Sequence, residues 1–361
     1  MRILLSNTDL ISPAGTQRWV ATIAAELEAR GHDVAVLTAR GNTLYPQLRE
    51  HRDGDAYDLG ILNHNDAFAL ARRVRMGRCL YTAHGFTPEP EWVPPGADAY
   101  AAVDELTAAH IPLPATVIRN PVDLEQFAER HPVRETPRSV LLLSNKQGRA
   151  RPIIEEACSI AGLDLRIVGG PTAVDDPAGP IDEADIVITS GRGVLEALAC
   201  ERNVYVMDFL GAKGYVEEAS IRRLRADSYA GLLDGSWPTP EELARHLVDG
   251  YDPARRLRGL IAAEHAPAVV VDRYLELARG IGPARRLAGA ALRRAGGPLT
   301  SRRTTKALSY LRRREPREAW RALRGSQHIP PLLESKLPEG TRVTFPDSLR
   351  GPRPELEHVY A

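Results

Sequence analysis

Ser190-Gly191-Arg192-Gly193-Val194-Leu195-Glu196 carries the residue types best suited to chemistry in this chain. The apolar run Ile186-Val187-Ile188 before it reads as a buried strand, and Gly193–Cys200 as a helix. A strand that turns through small residues into a helix leaves backbone N–H groups unpaired at the positive end of the helix dipole. Arg192 adds a guanidinium fork there. Such a junction favours a phosphate or pyrophosphate, and Glu196, one turn further on, is placed to take a ribose or sugar hydroxyl.

Other strand ends offer polar groups of the same kind. In the first half, Asn7–Thr16 forms a long polar loop in which Gly15 lets a ligand approach the backbone and Thr16 opens a helix. Leu80-Tyr81-Thr82-Ala83-His84-Gly85 sets a histidine after a strand, where it can bond a hydroxyl or change protonation near neutral pH. Val117-Ile118-Arg119-Asn120-Pro121 ends a strand in two polar side chains, which equally suit a turn at a domain edge. In the second half, Lys146 and Arg149 follow another strand and offer a point charge and a fork to a diphosphate. Asp208 ends a further strand and is placed to face the same space as Glu196.

These loops require a scaffold of parallel strands separated by helices. Strands are expected at 2–6, 33–38, 58–62, 78–82, 99–103 and 116–118, with a helix from Thr16 to Arg30 closed by Gly31. The alternation restarts with strands at 139–143, 164–168, 185–189 and 203–207, helices at 152–161 and 193–200, and helices near 239–248 and 254–279. The proline- and charge-rich stretch His131–Pro137 reads as the linker. Two domains follow, 1–133 and 134–280, with ligands expected beyond the carboxyl ends of the strands.

The whole chain of 361 residues has a formal net charge of zero, yet 281–330 is crowded with arginine, from Arg285 to Arg324, against Glu315 and Glu318 alone. Residues 281–361 are read as a basic helical extension, divided at Pro316, and an irregular tail. It either packs back on the acidic body or touches anionic lipid; it lacks the aromatic platform expected of a nucleic-acid binder. Three scattered cysteines, Cys79, Cys158 and Cys200, fit neither a disulfide framework nor a metal site and point to a reducing cytosol. The first residues are too short an apolar run for a signal peptide, and no stretch is long enough to span a membrane.

Taken together, these residues resemble the GT-B glycosyltransferases, of the family 4 type. The likeness rests on the opening strand, glycine loop and helix ending Arg30-Gly31-His32-Asp33-Val34, on Asn120-Pro121-Val122-Asp123, and on Ala184–Ala199 with Cys200–Val204. Pro121 stands where that family has glycine. The first of its two glutamates is absent before Glu196, and no arginine lies five residues before Lys146. The resemblance implies two Rossmann-like domains facing across a cleft. It implies a nucleoside diphosphate sugar as co-substrate, a glycan, lipid-linked or small-molecule hydroxyl acceptor, and no cofactor or metal. Arg192, Lys146 and the backbone at Gly191 and Gly193 would then meet the diphosphate and Glu196 the ribose, while His84, Gly15, Thr16, Asn120 and Asp208 complete the expected site. A sugar-nucleotide epimerase of the same fold and a catalytically silent nucleotide-sugar-binding scaffold are the alternatives. A cytoplasmic location, at most peripheral to the membrane, is expected.

Overall fold

The computed structural model describes the chain except residues 12–13, 87–88, 146, 209, 231–235, 296–301, 325–331 and 333–361. It divides into two compact units.

The first unit opens with β1 (Arg2–Asn7), α1 (Gly15–Ala29), β2 (Asp33–Thr38), β3 (Ala56–Asn63), α2 (Asn65–Ala71) and β4 (Arg75–Ala83). It continues with a 3₁₀ turn at Glu89–Glu91, β5 (Ala99–Ala102), α3 (Glu105–His110) and β6 (Ala115–Val117). All six strands run parallel in the order β2-β1-β3-β4-β5-β6. Alternation along β1 explains the layering. Ile3 and Leu5 pack with Trp19, Val20, Ile23 and Leu27 of α1, while Leu4 joins Tyr57, Phe68, Tyr81 and Tyr100 on the opposite face.

The second unit contains β7 (Ser139–Leu143), α4 (Ala150–Ala161), β8 (Asp164–Val168), α5 (Ala178–Glu183), β9 (Ile186–Thr189) and α6 (Arg192–Ala199). After these come β10 (Asn203–Asp208), β11 (Gly211–Tyr215), α7 (Glu218–Leu224), α8 (Pro240–Asp249) and α9 (Arg258–His265). The strand order is β11-β10-β9-β7-β8, parallel except for β11. Val140, Leu142, Ile186 and Ile188 pack against α4 and α8, and Leu141, Val187 and Val204 against α6 and α9. Two expectations change here. Residues 211–215, read as loop, form a strand antiparallel to β10, and their glycines Gly211 and Gly214 adopt φ of 111° and 90°. The helix expected over 254–279 is two, because Pro267 forces Ala266 into an extended conformation.

The division also lies elsewhere than expected, at Pro121/Val122 rather than after residue 133. Val122 and Phe127 are buried in the core of the second unit, and Val122 N–H donates to the His265 carbonyl. The stretch expected to be a linker is fastened to that unit: Asp182 accepts the N–H groups of Arg130 and His131, and Asp185 those of Arg134, Arg138 and Ser139. From Pro267 the chain belongs to the first unit again. There α10 (Pro267–Arg279) buries Val270, Val271 and Tyr274 with α1, and Arg30 binds Asp272 and the Ala268 carbonyl.

The basic extension forms α11 (Pro283–Ala295), α12 (Arg302–Arg312) and α13 (Pro316–Leu323), also in the first unit. Arg293 of α11 reaches Asp98 at 2.9 Å with both side chains buried, and α12 and α13 share a seam of Ala307, Tyr310, Ala319 and Ala322. The division of the two helices at Pro316 matches the sequence. Among the described residues no helix is long and apolar enough to cross a membrane.

Candidate nucleotide and acceptor sites

In an open parallel sheet the neighbours of the first strand connect in opposite directions, which leaves a crevice beyond the strand ends at that switch point. In the second unit β7 pairs with β8 on one side and β9 on the other, so the switch point lies between Leu143 and Thr189. The junction singled out in the sequence starts there.

The glycines of this junction have separate reasons. Gly191 has φ 61°, a left-handed conformation that other residues adopt at a cost, and its N–H donates to the Tyr229 carbonyl at 2.7 Å. Gly193 faces the strands. A Cβ there would lie closer than 3.0 Å to Thr189 Oγ1 and 3.3 Å from Leu143 Cδ2. Thr189 Oγ1 in turn donates to the Leu143 carbonyl at 2.7 Å and fastens the ends of β7 and β9. On the other side of β7, a Cβ on Gly169 would collide with the Ser144 carbonyl, and Asn145 Oδ1 accepts the Gly170 N–H at 3.0 Å. Close backbone approach thus gathers three loops at the ends of β7, β8 and β9.

No side chain caps α6, and its first turn carries no acidic residue. Arg192 is held by its own helix: Nε donates to Glu196 Oε1 at 2.9 Å, with 13% and 3% of the two side chains exposed. A cation at a helix N-terminus opposes the dipole, and Glu196 supplies the compensating charge. Arg192 Nη1 is buried without a hydrogen-bond partner among the described residues. The fork expected to meet a phosphate is therefore half engaged by the carboxylate expected to meet a ribose. Asp208 is buried, and its Oδ1 accepts the Leu210 N–H at 2.7 Å, shaping the turn into β11. Lys146 lies outside the described residues; Arg149 places its guanidinium over the Trp237 ring, 4.5 Å from the centroid.

The first unit holds Gly15, Thr16, His84 and Asn120. Its switch point lies between β1 and β3. Gly15 begins α1, exposed and with open space about its Cα, while Thr16 lies within the first turn and Ala14 occupies the cap position. Thr16 Oγ1 donates to Gln17 Oε1 at 3.0 Å. His84 is half-buried at the end of β4; its backbone N–H donates to Glu91 Oε2 at 2.9 Å and its ring meets Trp19 edge-on at 5.1 Å. Asn120 is half-buried just past β6, beside Arg119, which grips both carboxylate oxygens of Glu105.

Sequence reasoning missed His64, Glu91 and Asp66. His64 Nε2 lies 3.1 Å from Glu91 Oε1, and its Nδ1 lies 2.8 Å from Thr8 Oγ1, which itself lies 2.8 Å from Asp66 Oδ1. Burial opposes protonation of His64, but Glu91, with Asp66 and Asp9 beyond it, outweighs that and raises its pKa. Burial likewise opposes ionisation of Glu91, yet His64 and His84 hold its pKa below the usual carboxylate value. The signal was present: Asn63-His64 follows the apolar run Leu59–Leu62 as His84 follows Leu80–Ala83. Among the described residues no group of three or more His, Cys, Asp and Glu side chains is arranged to hold a metal ion.

No protein-family model matches the sequence, and no curated protein matches it. Solved structures do. AviGT4, a glycosyltransferase involved in avilamycin A biosynthesis, is 14% identical with a TM-score of 0.51 over 77% of this chain and 97% of its own. WaaG, a glycosyltransferase involved in lipopolysaccharide biosynthesis, is 14% identical over 77% of this chain and all of its own, with a TM-score of 0.45. Two Rossmann-like units with these strand orders, matched over nearly the whole length of AviGT4, give this chain the GT-B fold of glycosyltransferases.

Proposed function

We propose that this chain is a glycosyltransferase that moves a sugar from a nucleoside diphosphate donor to a hydroxyl of a glycan, lipid-linked or small-molecule acceptor. The observation that carries the reading is the β9-to-α6 junction: a left-handed glycine, a helix start without a side-chain cap, and Arg192 beside it, all at a topological switch point. Those features suit a diphosphate, whose negative charge grows as the glycosidic bond to it breaks. The arriving anion would take over from Glu196 as the partner of Arg192, and the released Glu196 carboxylate would accept ribose hydroxyls. Lys146 is assigned to the same diphosphate. Charge neutralisation is given to these cations and to backbone N–H groups, with no metal or other cofactor.

His84, with Gly15, Thr16 and Asn120, is assigned to the acceptor and the transferred sugar. The position of His84 beyond a strand end suits a group that receives the acceptor hydroxyl's proton as the new bond forms. Asp208 is assigned to the turn that closes the nucleotide site. A second reading, a nucleotide-sugar-binding scaffold without turnover, is favoured by one observation: Arg192 Nε is already engaged by Glu196. A panel of nucleoside diphosphate sugars, assayed for binding and for nucleotide release with sugar and lipid-linked acceptors, separates the two. Release dependent on acceptor supports transfer; binding without release supports the scaffold. Release of an epimeric nucleotide sugar would indicate an epimerase.

For the extension, packing on the first unit through Arg293 and Asp98 is the first assignment, and peripheral contact with anionic lipid is the second. Leu287, Leu311, Trp320 and Leu323 are exposed among its arginines, an arrangement suited to a headgroup layer. Salt-sensitive sedimentation with anionic vesicles tests it.

A further inference from the structure

Thr8 presents two groups to one nitrogen of His64. Its backbone N–H points at Nδ1 from 3.2 Å, and its hydroxyl lies 2.8 Å from the same atom. The hydroxyl has a single proton and also touches Asp66 Oδ1 at 2.8 Å. An ionised carboxylate only accepts, so the hydroxyl donates to Asp66 and offers His64 a lone pair. A protonated Nδ1 then completes a relay, His64 to Thr8 to Asp66, but confronts the Thr8 N–H with another donor. An unprotonated Nδ1 accepts the Thr8 N–H and breaks the relay. One proton thus decides which group of Thr8 is satisfied.

On the other side of the ring, Nε2 donates to Glu91 Oε1, and Glu91 Oε2 accepts the backbone N–H of His84. The chain Asp66–Thr8–His64–Glu91–His84 links the loops after β1, β3 and β4 at the switch point of the first unit. His64 itself has φ 57° and ψ 139°, a left-handed strand exit that a non-glycine residue adopts only when its surroundings impose it. Within this cluster the charged and titratable neighbours are Glu91 from the 3₁₀ turn, Asp66 from α2, Asp9 from the loop after β1, and His84 and Tyr81 from β4 and its end. The groups that raise the His64 pKa, Glu91, Asp66 and Asp9, are acidic.

We infer that His64 is a proton-linked positioning residue, which holds the backbone of His84 through Glu91 and the loop after β1 through Thr8. The acidic neighbours favour the relay form, and the form that accepts from the Thr8 N–H takes over as the pH rises. The consequence for catalysis rests on the reading of His84 as an acceptor-side residue; the structural coupling does not.

The test uses the full chain, isotope-labelled, with the His64 ring and the Thr8 and His84 amides followed by NMR from pH 5 to 9. The expected result is a His64 midpoint above the usual ~6.5, with both amides shifting at that same midpoint. In His64→Gln both shifts disappear while amides of the second unit stay in place. Glu91→Gln, which keeps the hydrogen bonds and removes the charge, lowers the midpoint. Flat Thr8 and His84 amides through the His64 titration, or the same shifts in His64→Gln, overturn the inference. With a donor and acceptor that turn over, the pH profile of kcat carries a limb at the His64 midpoint that His64→Gln flattens, with KM for the donor unchanged. Absence of any turnover would count against the proposed function and leave the NMR result to decide this one.

Discussion

Gly193→Ala, compared with Gly259→Ala, isolates the packing that builds the β9-to-α6 junction. Both glycines are the second residue of an eight-residue helix in the same unit, α6 and α9, so the helical gain of alanine over glycine is common to both. Nothing lies within 4 Å of a Cβ on Gly259, whereas a Cβ on Gly193 drives into Thr189 Oγ1. Gly259→Ala should therefore be neutral or stabilising by up to about 1 kcal/mol. Overpacking at Gly193 costs about 1–3 kcal/mol, and displacing the Thr189 hydroxyl from the Leu143 carbonyl adds about 1 kcal/mol. The two variants should differ by about 2–4 kcal/mol in urea denaturation followed by circular dichroism. Gly193→Ala should also weaken nucleoside diphosphate binding, because relief requires the first turn of α6 to move off the strands. Equal stability of the two variants would refute the close-packing argument.

Arg192→Met removes a charged hydrogen-bond donor worth about 1.5–3 kcal/mol, so titration calorimetry should show nucleoside diphosphate binding weakened about 10- to 100-fold. Glu196→Gln should weaken a nucleoside diphosphate more than pyrophosphate, since only the former has a ribose; equal losses would remove Glu196 from that role. Arg293→Met leaves the fully buried Asp98 carboxylate without its cation and should cost about 3–5 kcal/mol in denaturant titration; a change under 1 kcal/mol would show that α11 is not anchored there. Burial pushes the His110 pKa down to about 4, while its Nδ1–H donates to the Leu106 carbonyl. The unfolded chain then binds a proton that the folded one refuses, so stability is full above about 6.5 and falls as pH drops toward 4. His64 has the opposite sign: its raised pKa gives stability that is full below about 6.5 and lost as pH rises through the folded value. His110→Asn and His64→Gln should each remove one limb of the stability–pH curve.

The alternation of strands and helices was legible because parallel strands buried on both faces, such as Ile186–Ile188 and Leu141–Leu143, read as continuous apolar runs between turn residues. The junction around Arg192 was legible for the same reason, since strand, glycines and helix adjoin in the chain. What failed depends on contacts distant in sequence. The turn at Arg119–Pro121 suits a domain edge as well as a site, and local sequence does not choose between them; Val122 and Phe127 belong to the second unit because of the strands and helices that bury them. Residues 211–215 hold two glycines at positive φ and little apolar periodicity, so only pairing with β10 makes them a strand. His64 and Glu91 are 27 positions apart and meet only once β3 and β4 lie side by side. The Arg192–Glu196 pair was within reach of the sequence, since four residues on a helix is one turn. Assigning each residue separately to a ligand obscured that they first bind each other.

The proposed function stands or falls with nucleoside diphosphate binding at the β9-to-α6 junction. Titration calorimetry of the full chain and of Arg192→Met with a panel of nucleoside diphosphate sugars tests it most directly. Saturable binding of at least one of them is expected, weakened at least about 10-fold in the variant. Failure of every nucleotide to bind, or binding of equal strength in Arg192→Met, would contradict it.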